Sequence, residues 1–244
     1  MNPDETKFGF QTVKQAEKAK RVGEVFDSVS SNYDLMNNLM SLGLHNAWKK
    51  TLIDTSSLKA KAKILDIAAG TADLTLAFDK ANKDYEILQT DINHSMLMEG
   101  QKKLINSGVI IPAITCDAEA LPFADNYFDC VTIAFGLRNM TKKENALREV
   151  YRVLSPGGKV LILEFSHIYQ PFQKLYDVFS FKFIPILGKL FAKDELSYRY
   201  LVESIRVHPS QEELKEMMEA EAFEKVSYTN MSAGIVAIHK GYKF

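Results

Sequence analysis

Short apolar runs alternate with longer amphipathic segments through the middle of the chain. The runs lie at 63–68, 85–91, 110–116, 127–135 and 159–165. Between them, apolar residues recur at intervals of three and four, for example from Met96 to Leu104, as in helices with one buried face. Strands that are apolar throughout are typical of parallel sheets whose two faces are covered. The pattern therefore predicts an α/β fold with a mostly parallel sheet and helices on both faces.

The N-terminal segment is predicted to form a helical cap. The first ten residues are polar and are expected to be frayed. Helical spacing of apolar residues then predicts a helix that begins near Thr12 and a second, short helix that carries Trp48 and Leu52. The cap would cover 1–60 and the main domain 61–244, so that the chain is effectively one domain.

The C-terminal part breaks the alternation of strands and helices. Residues 166–200 are apolar, aromatic and basic, and form an insertion before the sixth strand. They are compatible with a helix that covers the sheet, and equally with a lid whose apolar face meets an apolar substrate or a bilayer surface. Ser210 and Glu213 predict a capped helix, and the stretches 225–231 and 234–242 predict an antiparallel hairpin.

Candidate chemistry lies where the predicted strands end. The first strand runs into a turn of small residues around Gly70, and the second ends at Asp91, about 20 residues later. Such a turn occurs equally in nucleotide sites and in purely structural positions. An acid after the second strand can accept hydrogen bonds from both hydroxyls of a ribose. Asp117, after the third strand, is either an acceptor for the amine of adenine or a former of a turn or helix cap.

These residues are expected to meet in space. Right-handed crossovers put the strand-to-helix loops of a parallel sheet on its carboxyl edge, where ligands bind. Gly70, Asp91, Asp117 and the loop at Arg138 each follow one of the first four strands. The sequence therefore predicts a nucleotide site at that edge.

Composition narrows the class of protein. The 244 residues include 30 basic and 31 acidic ones, for a net charge of −1. This balance lacks the excess of positive charge that is typical of proteins that bind nucleic acid. Cys116 and Cys130 lie in apolar runs and are expected to be reduced core residues. The five histidines have no metal-ligand spacing, so no metal is expected. Without a signal-peptide core or a run of 18 apolar residues, a cytoplasmic protein without a membrane span is expected.

Three longer strings are similar to one family. They are YDLMNNLMSLGLHNAW at 33–48, FGLRNM at 135–140 and RVLSPGGKVLILEFS at 152–166. They resemble the N-terminal signature, the loop after strand four and the second signature of the ubiquinone/menaquinone biosynthesis C-methyltransferases. The resemblance extends from about Val25 to Lys240 and implies the class I S-adenosylmethionine-dependent methyltransferase fold, a Rossmann-like, seven-stranded sheet. The chain departs from the family at Ser155, where Lys or Arg is usual, and at Ala72, where Gly is usual.

The resemblance also implies roles for particular residues. The residues expected to hold the cofactor, S-adenosylmethionine, are Gly70, Thr71, Asp91, Asp117, Ala118 and Ala134. The residues expected to form the quinol pocket and to carry the catalysis are Tyr33, Asp34, Asn37, His45, Arg138 and Asn139. Gly70 and Thr71 would meet the methionine part of the cofactor and Asp91 its ribose. Asp117 and Ala118 would meet the adenine.

Two of these residues have more than one possible role. Arg138 would stabilise the charge of a phenolate or orient a water that accepts a proton, unless it forms only a salt bridge. His45 is either a proton acceptor or a buried, hydrogen-bonded histidine. The methyl group of Ala72 is expected to weaken cofactor binding or to tilt the following helix.

The implied activity is transfer of a methyl group to a ring carbon of a polyprenylated quinol. The first candidate reaction converts demethylmenaquinol to menaquinol. The alternatives are 2-methoxy-6-polyprenyl-1,4-benzoquinol of ubiquinone biosynthesis, another phenol, or a non-catalytic scaffold subunit of a quinone-biosynthesis assembly. Candidates to meet the prenyl tail or the membrane surface are Phe179, Phe181, Phe183, Ile184 and Leu187. The expected location is the cytoplasm, with peripheral association at the inner face of the membrane and a homodimer left open.

Overall fold

The described chain begins with a β-hairpin, where the sequence predicts a frayed end and a helix. The computed structural model describes residues 4–29, 37–38, 41, 43–173 and 195–244. Strands β1 (Glu5–Phe8) and β2 (Gln11–Lys14) are antiparallel, and helix α1 (Gln15–Val29) follows them. The helix predicted to begin near Thr12 is present and begins at Gln15. The prediction of a frayed end is wrong for residues 4–10, because distant contacts hold the hairpin. Phe8 stacks on Tyr200 at 4.3 Å, and Phe10 N donates to Glu203 Oε2 at 3.1 Å.

Seven further strands form one sheet. They are β3 (Lys63–Ile67), β4 (Glu86–Asp91), β5 (Ala113–Thr115), β6 (Phe128–Ala134), β7 (Leu154–Phe165), β8 (Glu224–Met231) and β9 (Val236–Tyr242). Their order across the sheet is β5-β4-β3-β6-β7-β9-β8. The first five are parallel to one another, and β9 is antiparallel to both β7 and β8. The predicted sheet and its antiparallel C-terminal hairpin are confirmed.

Helices cover both faces of this sheet, as the sequence predicts. They are α2 (His45–Ser56), α3 (Asp73–Ala81), α4 (His94–Asn106), α5 (Lys143–Val153), α6 (Glu195–Val207) and α7 (Gln211–Ala220), and a 3-10 turn spans Leu137–Asn139. Along β3, Ile64 packs into a core with α2, α3 and α6, while Leu65 packs into a second core with α5 and α7. Both β3 residues are fully buried, because successive side chains of a strand point to opposite faces.

Several boundaries differ from the predictions. Strand β5 has only three residues, since Ile110 is 93% exposed and precedes the paired part of the run. The helix predicted from Ser210 is confirmed, with a capping box in which Ser210 Oγ accepts from Glu213 N. Much of the predicted insertion, 174–194, lies outside the described residues, including the five candidates for tail contact. The division of the chain at residue 60 stays a prediction.

The turn between β3 and α3 is held between two glycines of other elements. A Cβ at Gly100 of α4 would lie 2.7 Å from Gly70 O and 3.1 Å from the Ala72 Cβ. A Cβ at Gly136 would lie 2.4 Å from the Ala68 Cβ. Because neither glycine has a side chain, both neighbours can approach the turn closely.

Ala72 takes the conformation that the family's usual glycine would take. Its φ of +62° lies in the left-handed region, which costs an L-residue about 1–2 kcal/mol. The residue is fully buried and lies against Gly100. It lines neither of the two cavities described below.

We predict that Gly100→Ala destabilises the protein, because the added methyl group overlaps backbone atoms of the turn. The free energy of unfolding, measured by urea denaturation, should fall by about 2 kcal/mol. Gly23→Ala in α1 is the matched control, since no described atom lies within 4 Å of its Cβ position. That variant should gain roughly 0.5–1 kcal/mol from helix propensity. Equal effects of the two substitutions would contradict the close approach of α4.

Candidate active site

A cleft opens at the carboxyl edge of the parallel strands. The empty space within it amounts to about 850 Å³ when the open solvent at its mouth is counted. Five of the residues predicted from the sequence line it: Gly70, Asp91, Asp117, Ala118 and Asn139. Their meeting at one edge is the arrangement that right-handed crossovers predict.

Asp91 ties the end of β4 to the turn after β3. Its Oδ2 accepts a hydrogen bond from Gly70 N at 2.9 Å, and its Oδ1 accepts one from Asn93 N at 2.8 Å. Burial raises the pKa of Asp91, and these backbone donors act in the opposite direction. Each carboxylate oxygen has a second lone pair. Asp91 can therefore hold its own loop and still accept hydrogen bonds from a ligand.

Asp117 lies at the exposed rim of the cleft. Its Oδ1 accepts a hydrogen bond from Glu119 N at 2.9 Å, which closes a turn. Glu119 also lines the cleft, and its Oε1 accepts from Thr141 N and Lys142 N. Asp117 thus forms a turn, as one of the two alternatives states, and its contact with adenine stays a prediction.

A second, smaller cavity adjoins the cleft and contains three more of the predicted residues. Asn37, Thr71 and Ala134 line it. Ala68 and Phe135 line both spaces, so they form the boundary between them. These two residues have left-handed φ values of +53° and +58°, and non-glycine residues in this conformation are concentrated at functional sites.

The second cavity also contains charged residues that were not predicted from the sequence. Lys49 Nζ lies 2.5 Å from Asp73 Oδ2, and Lys103 pairs with the other oxygen of Asp73. Burial alone would raise the pKa of Asp73, but its two lysine partners outweigh burial and lower it.

Asp66 is a buried acid near the carboxyl end of β3. Hydroxyls of Thr75 and Thr132 donate to its two oxygens at 2.7 and 2.8 Å. Burial raises the pKa of Asp66 to about 6. Asp66 lines the second cavity. An acid within an otherwise apolar strand was the signal that could have identified it from the sequence.

Arg138 lies in a buried ion pair. Its Nη1 donates to Glu164 Oε1 at 2.8 Å and also to Phe135 O, and its backbone N donates to Glu164 Oε2 at 3.2 Å. Arg138 is 5% exposed and lines neither cavity. Its neighbour Asn139 lines the cleft and accepts a hydrogen bond from Tyr200 OH at 3.0 Å. The roles of Arg138 and Asn139 toward a quinol stay predictions.

His45 is buried and hydrogen-bonded. Its Nδ1 lies 2.9 Å from Ser41 Oγ, which donates to the carbonyl of Asn37 at 2.6 Å. This arrangement corresponds to the second alternative for His45, and its catalytic role is untested. Tyr33 and Asp34 lie outside the described residues.

Helix α1 forms one wall of the cleft, which the sequence did not predict. Lys18 is buried beside this wall and donates to Met140 O at 2.8 Å. Burial, together with the charge of Lys143, lowers the pKa of Lys18 to about 7. Cys116 is half-buried and also lines the cleft, whereas Cys130 is a core residue as predicted.

Two kinds of site are not found in the part of the chain that the structure describes. It contains no group of three or more His, Cys, Asp or Glu residues arranged to hold a metal ion. None of its helices combines the length and the apolar composition needed to cross a bilayer.

A family model matches most of the chain. It covers residues 13–243 and describes the ubiE/COQ5 methyltransferase family. The chain belongs to this family. A curated relative from Burkholderia mallei (strain SAVP1), named ubiquinone/menaquinone biosynthesis C-methyltransferase UbiE, is 58% identical over 240 residues, which cover 98% of this chain and 99% of the relative.

Solved structures agree with the fold. The cyclase SpnF matches with a TM-score of 0.68 at 16% identity, over 91% of this chain and 94% of its own. A possible histamine N-methyltransferase from Thermotoga maritima matches with a TM-score of 0.63 at 18% identity, over 91% and 99%. At these identities the likeness concerns the fold alone. Family membership confirms the predicted class I methyltransferase, with S-adenosylmethionine as the methyl donor.

We predict that ionised Asp66 destabilises the folded protein at neutral pH. The carboxyl group has a pKa of about 6 when folded and about 3.9 when unfolded. Folding stability should therefore fall as pH rises from about 4 through 6. Asp66→Asn removes this ionisation. The Asp66→Asn variant should therefore gain about 2 kcal/mol more in free energy of unfolding over wild type at pH 7 than at pH 4.

Urea denaturation at both pH values measures this difference. Asp84→Asn, which changes an exposed carboxyl group, is the matched control. A difference between Asp66→Asn and wild type that does not vary with pH would contradict the buried, titrating carboxyl group.

Proposed function

We propose that this protein transfers a methyl group from S-adenosylmethionine to a ring carbon of a polyprenylated quinol. The observation that carries the proposal is the position of Asp91 in the cleft of a chain from the ubiE/COQ5 family. The name of the Burkholderia relative supports the substrate class. Demethylmenaquinol is the first candidate, and 2-methoxy-6-polyprenyl-1,4-benzoquinol is the second.

The residues of the cleft fit the nucleoside part of the cofactor. Asp91 has lone pairs for the ribose hydroxyls beyond those that it uses on Gly70 N and Asn93 N. Ala118 is buried in the wall and Asp117 lies at the rim, so they would meet the adenine.

The second cavity fits the amino acid part of the cofactor. Thr71, Asp66 and Lys49 line it, and their side chains carry a hydroxyl, a carboxyl and an ammonium group. Mixed charges of this kind suit a zwitterion, which carries an ammonium and a carboxylate. Gly70, at the turn beside both spaces, would allow the ligand to pass close to the backbone.

The protein contributes positioning and exclusion of water to the reaction. Bound S-adenosylmethionine supplies an electrophilic methyl group, and the quinol supplies a ring carbon that becomes nucleophilic when a neighbouring hydroxyl group loses its proton. Asn139 lines the cleft and is oriented by Tyr200. Holding both reactants in a dry site supplies much of the acceleration of such a transfer.

Arg138 would act on the phenolate from behind the cleft wall. Its charge is partly balanced by Glu164 at 2.8 Å, and the same carboxylate holds the backbone of Arg138. The pair would orient the loop that presents Asn139. Tyr33, Asp34, Asn37 and His45 would enclose the quinol ring from the N-terminal side.

We expect the insertion to bring the enzyme to the membrane surface where the prenyl tail resides. Residues 166–200 combine aromatic and aliphatic side chains with lysines, a composition suited to the interface of anionic lipids. The protein would then be cytoplasmic and peripheral to the inner face of the membrane.

Cofactor binding is predicted to depend on Asp91. Isothermal titration calorimetry of S-adenosylmethionine should show binding by wild type and a loss of at least about tenfold in Asp91→Ala, because charge-assisted hydrogen bonds to the ribose are removed. Glu86→Ala changes the exposed acid at the opposite end of β4 and should bind like wild type. Absence of binding by wild type would favour the scaffold alternative.

Quinol methylation tests the substrate. Demethylmenaquinol and the methoxy-benzoquinol would each be presented in vesicles of anionic phospholipid with S-adenosylmethionine, and methylated products measured by mass spectrometry. We expect faster methylation of demethylmenaquinol and sedimentation of the protein with the vesicles. Turnover of neither quinol by a protein that binds the cofactor would contradict the proposed substrate class.

A further inference from the structure

The wall that α1 contributes to the cleft is formed by one face of the helix, and we call this wall the roof. Ala19, Val22, Gly23 and Phe26 line it and recur at the spacing of one helix face. Across the cleft lie the ends of β3 and β4, including Gly70 and Asp91. A ligand in the cleft would therefore contact α1 on one side and the strand ends on the other.

The side chain of Asn93 joins this roof to Asp91. Asn93 Nδ2 lies 3.0 Å from Asp27 Oδ1 and 3.4 Å from Gly23 O. The backbone N of the same residue donates to Asp91 Oδ1 at 2.8 Å. Asn93 therefore contacts both Gly23 and Asp91, the carboxylate that is proposed to bind the ribose.

Nothing in the packing or the backbone conformation of the described residues requires glycine at position 23. It lies in the interior of the 15-residue helix α1, where glycine costs about 1 kcal/mol relative to alanine. Its φ is not left-handed. A Cβ built on it meets no described atom within 4 Å. Gly100 differs, because a methyl group there would overlap the neighbouring turn.

We infer that Gly23 is a specificity-determining residue of the cofactor site, whose missing side chain leaves room for the ribose side of the nucleoside beneath α1. This inference rests on the proposed binding of the cofactor in the cleft. A side chain at this position would enter space that none of the described residues occupies. Binding would then suffer while the fold does not.

The test is Gly23→Leu, which adds a good helix former pointing into the cleft. Calorimetry with S-adenosylmethionine and with S-adenosylhomocysteine should show affinities lower by about tenfold or more. The melting temperature of the ligand-free variant should equal or exceed that of wild type. Lys20→Leu is the matched control, because the Lys20 side chain is 81% exposed on the same helix, and it should bind both ligands like wild type.

The outcomes separate this inference from the proposed function. Wild-type affinity in Gly23→Leu, with affinity lost in Asp91→Ala, would overturn the inference and leave the cofactor site in place. Wild-type affinity in both variants would instead contradict the position of the cofactor. Should Gly23→Leu melt at a lower temperature, Gly23→Ala decides, and undiminished affinity in that stable variant overturns the inference.

Discussion

The carboxylate of Asp91 connects the elements on which the site depends. It accepts hydrogen bonds from Gly70 N in the turn after β3 and from Asn93 N at the start of α4. Asn93 in turn caps α4, because its Oδ1 accepts from Met96 N at 2.9 Å, and its Nδ2 reaches α1. One buried acid thus joins two strand ends, a helix start and the roof of the cleft. Its burial is unfavourable for a charge, and the backbone donors reduce that cost.

Buried charges are concentrated at the same edge of the sheet. Asp66 accepts hydrogen bonds from two threonines, Asp73 is paired with two lysines, and Arg138 is paired with Glu164. Ionised groups in a low-dielectric interior are costly unless they are paired. Asp66 and Asp73 line the second cavity, and such groups of buried charges with shifted pKa values are frequent at functional sites.

Apolar periodicity predicted the sheet and its covering helices well, because burial on two faces leaves a strong pattern in the sequence. It failed for β1 and β2, whose hairpin depends on contacts with Tyr200 and Glu203. Eight of the predicted site residues line the two cavities. Arg138 was identified as a strand-end residue, but its burial against Glu164 depends on an acid 26 residues away, and no local pattern joins the two.

The sequence by itself determined the class of fold, the edge of the sheet where the cleft opens and the family, since periodicity, strand-end acids and signature strings are local properties. Only the tertiary structure decided that α1 covers the cleft, that Asp66 and Lys49 line a second cavity and that Gly23 has open space beside it. Those properties depend on which distant segments pack together. That packing follows from the shapes and charges of whole elements, which no short stretch of sequence contains.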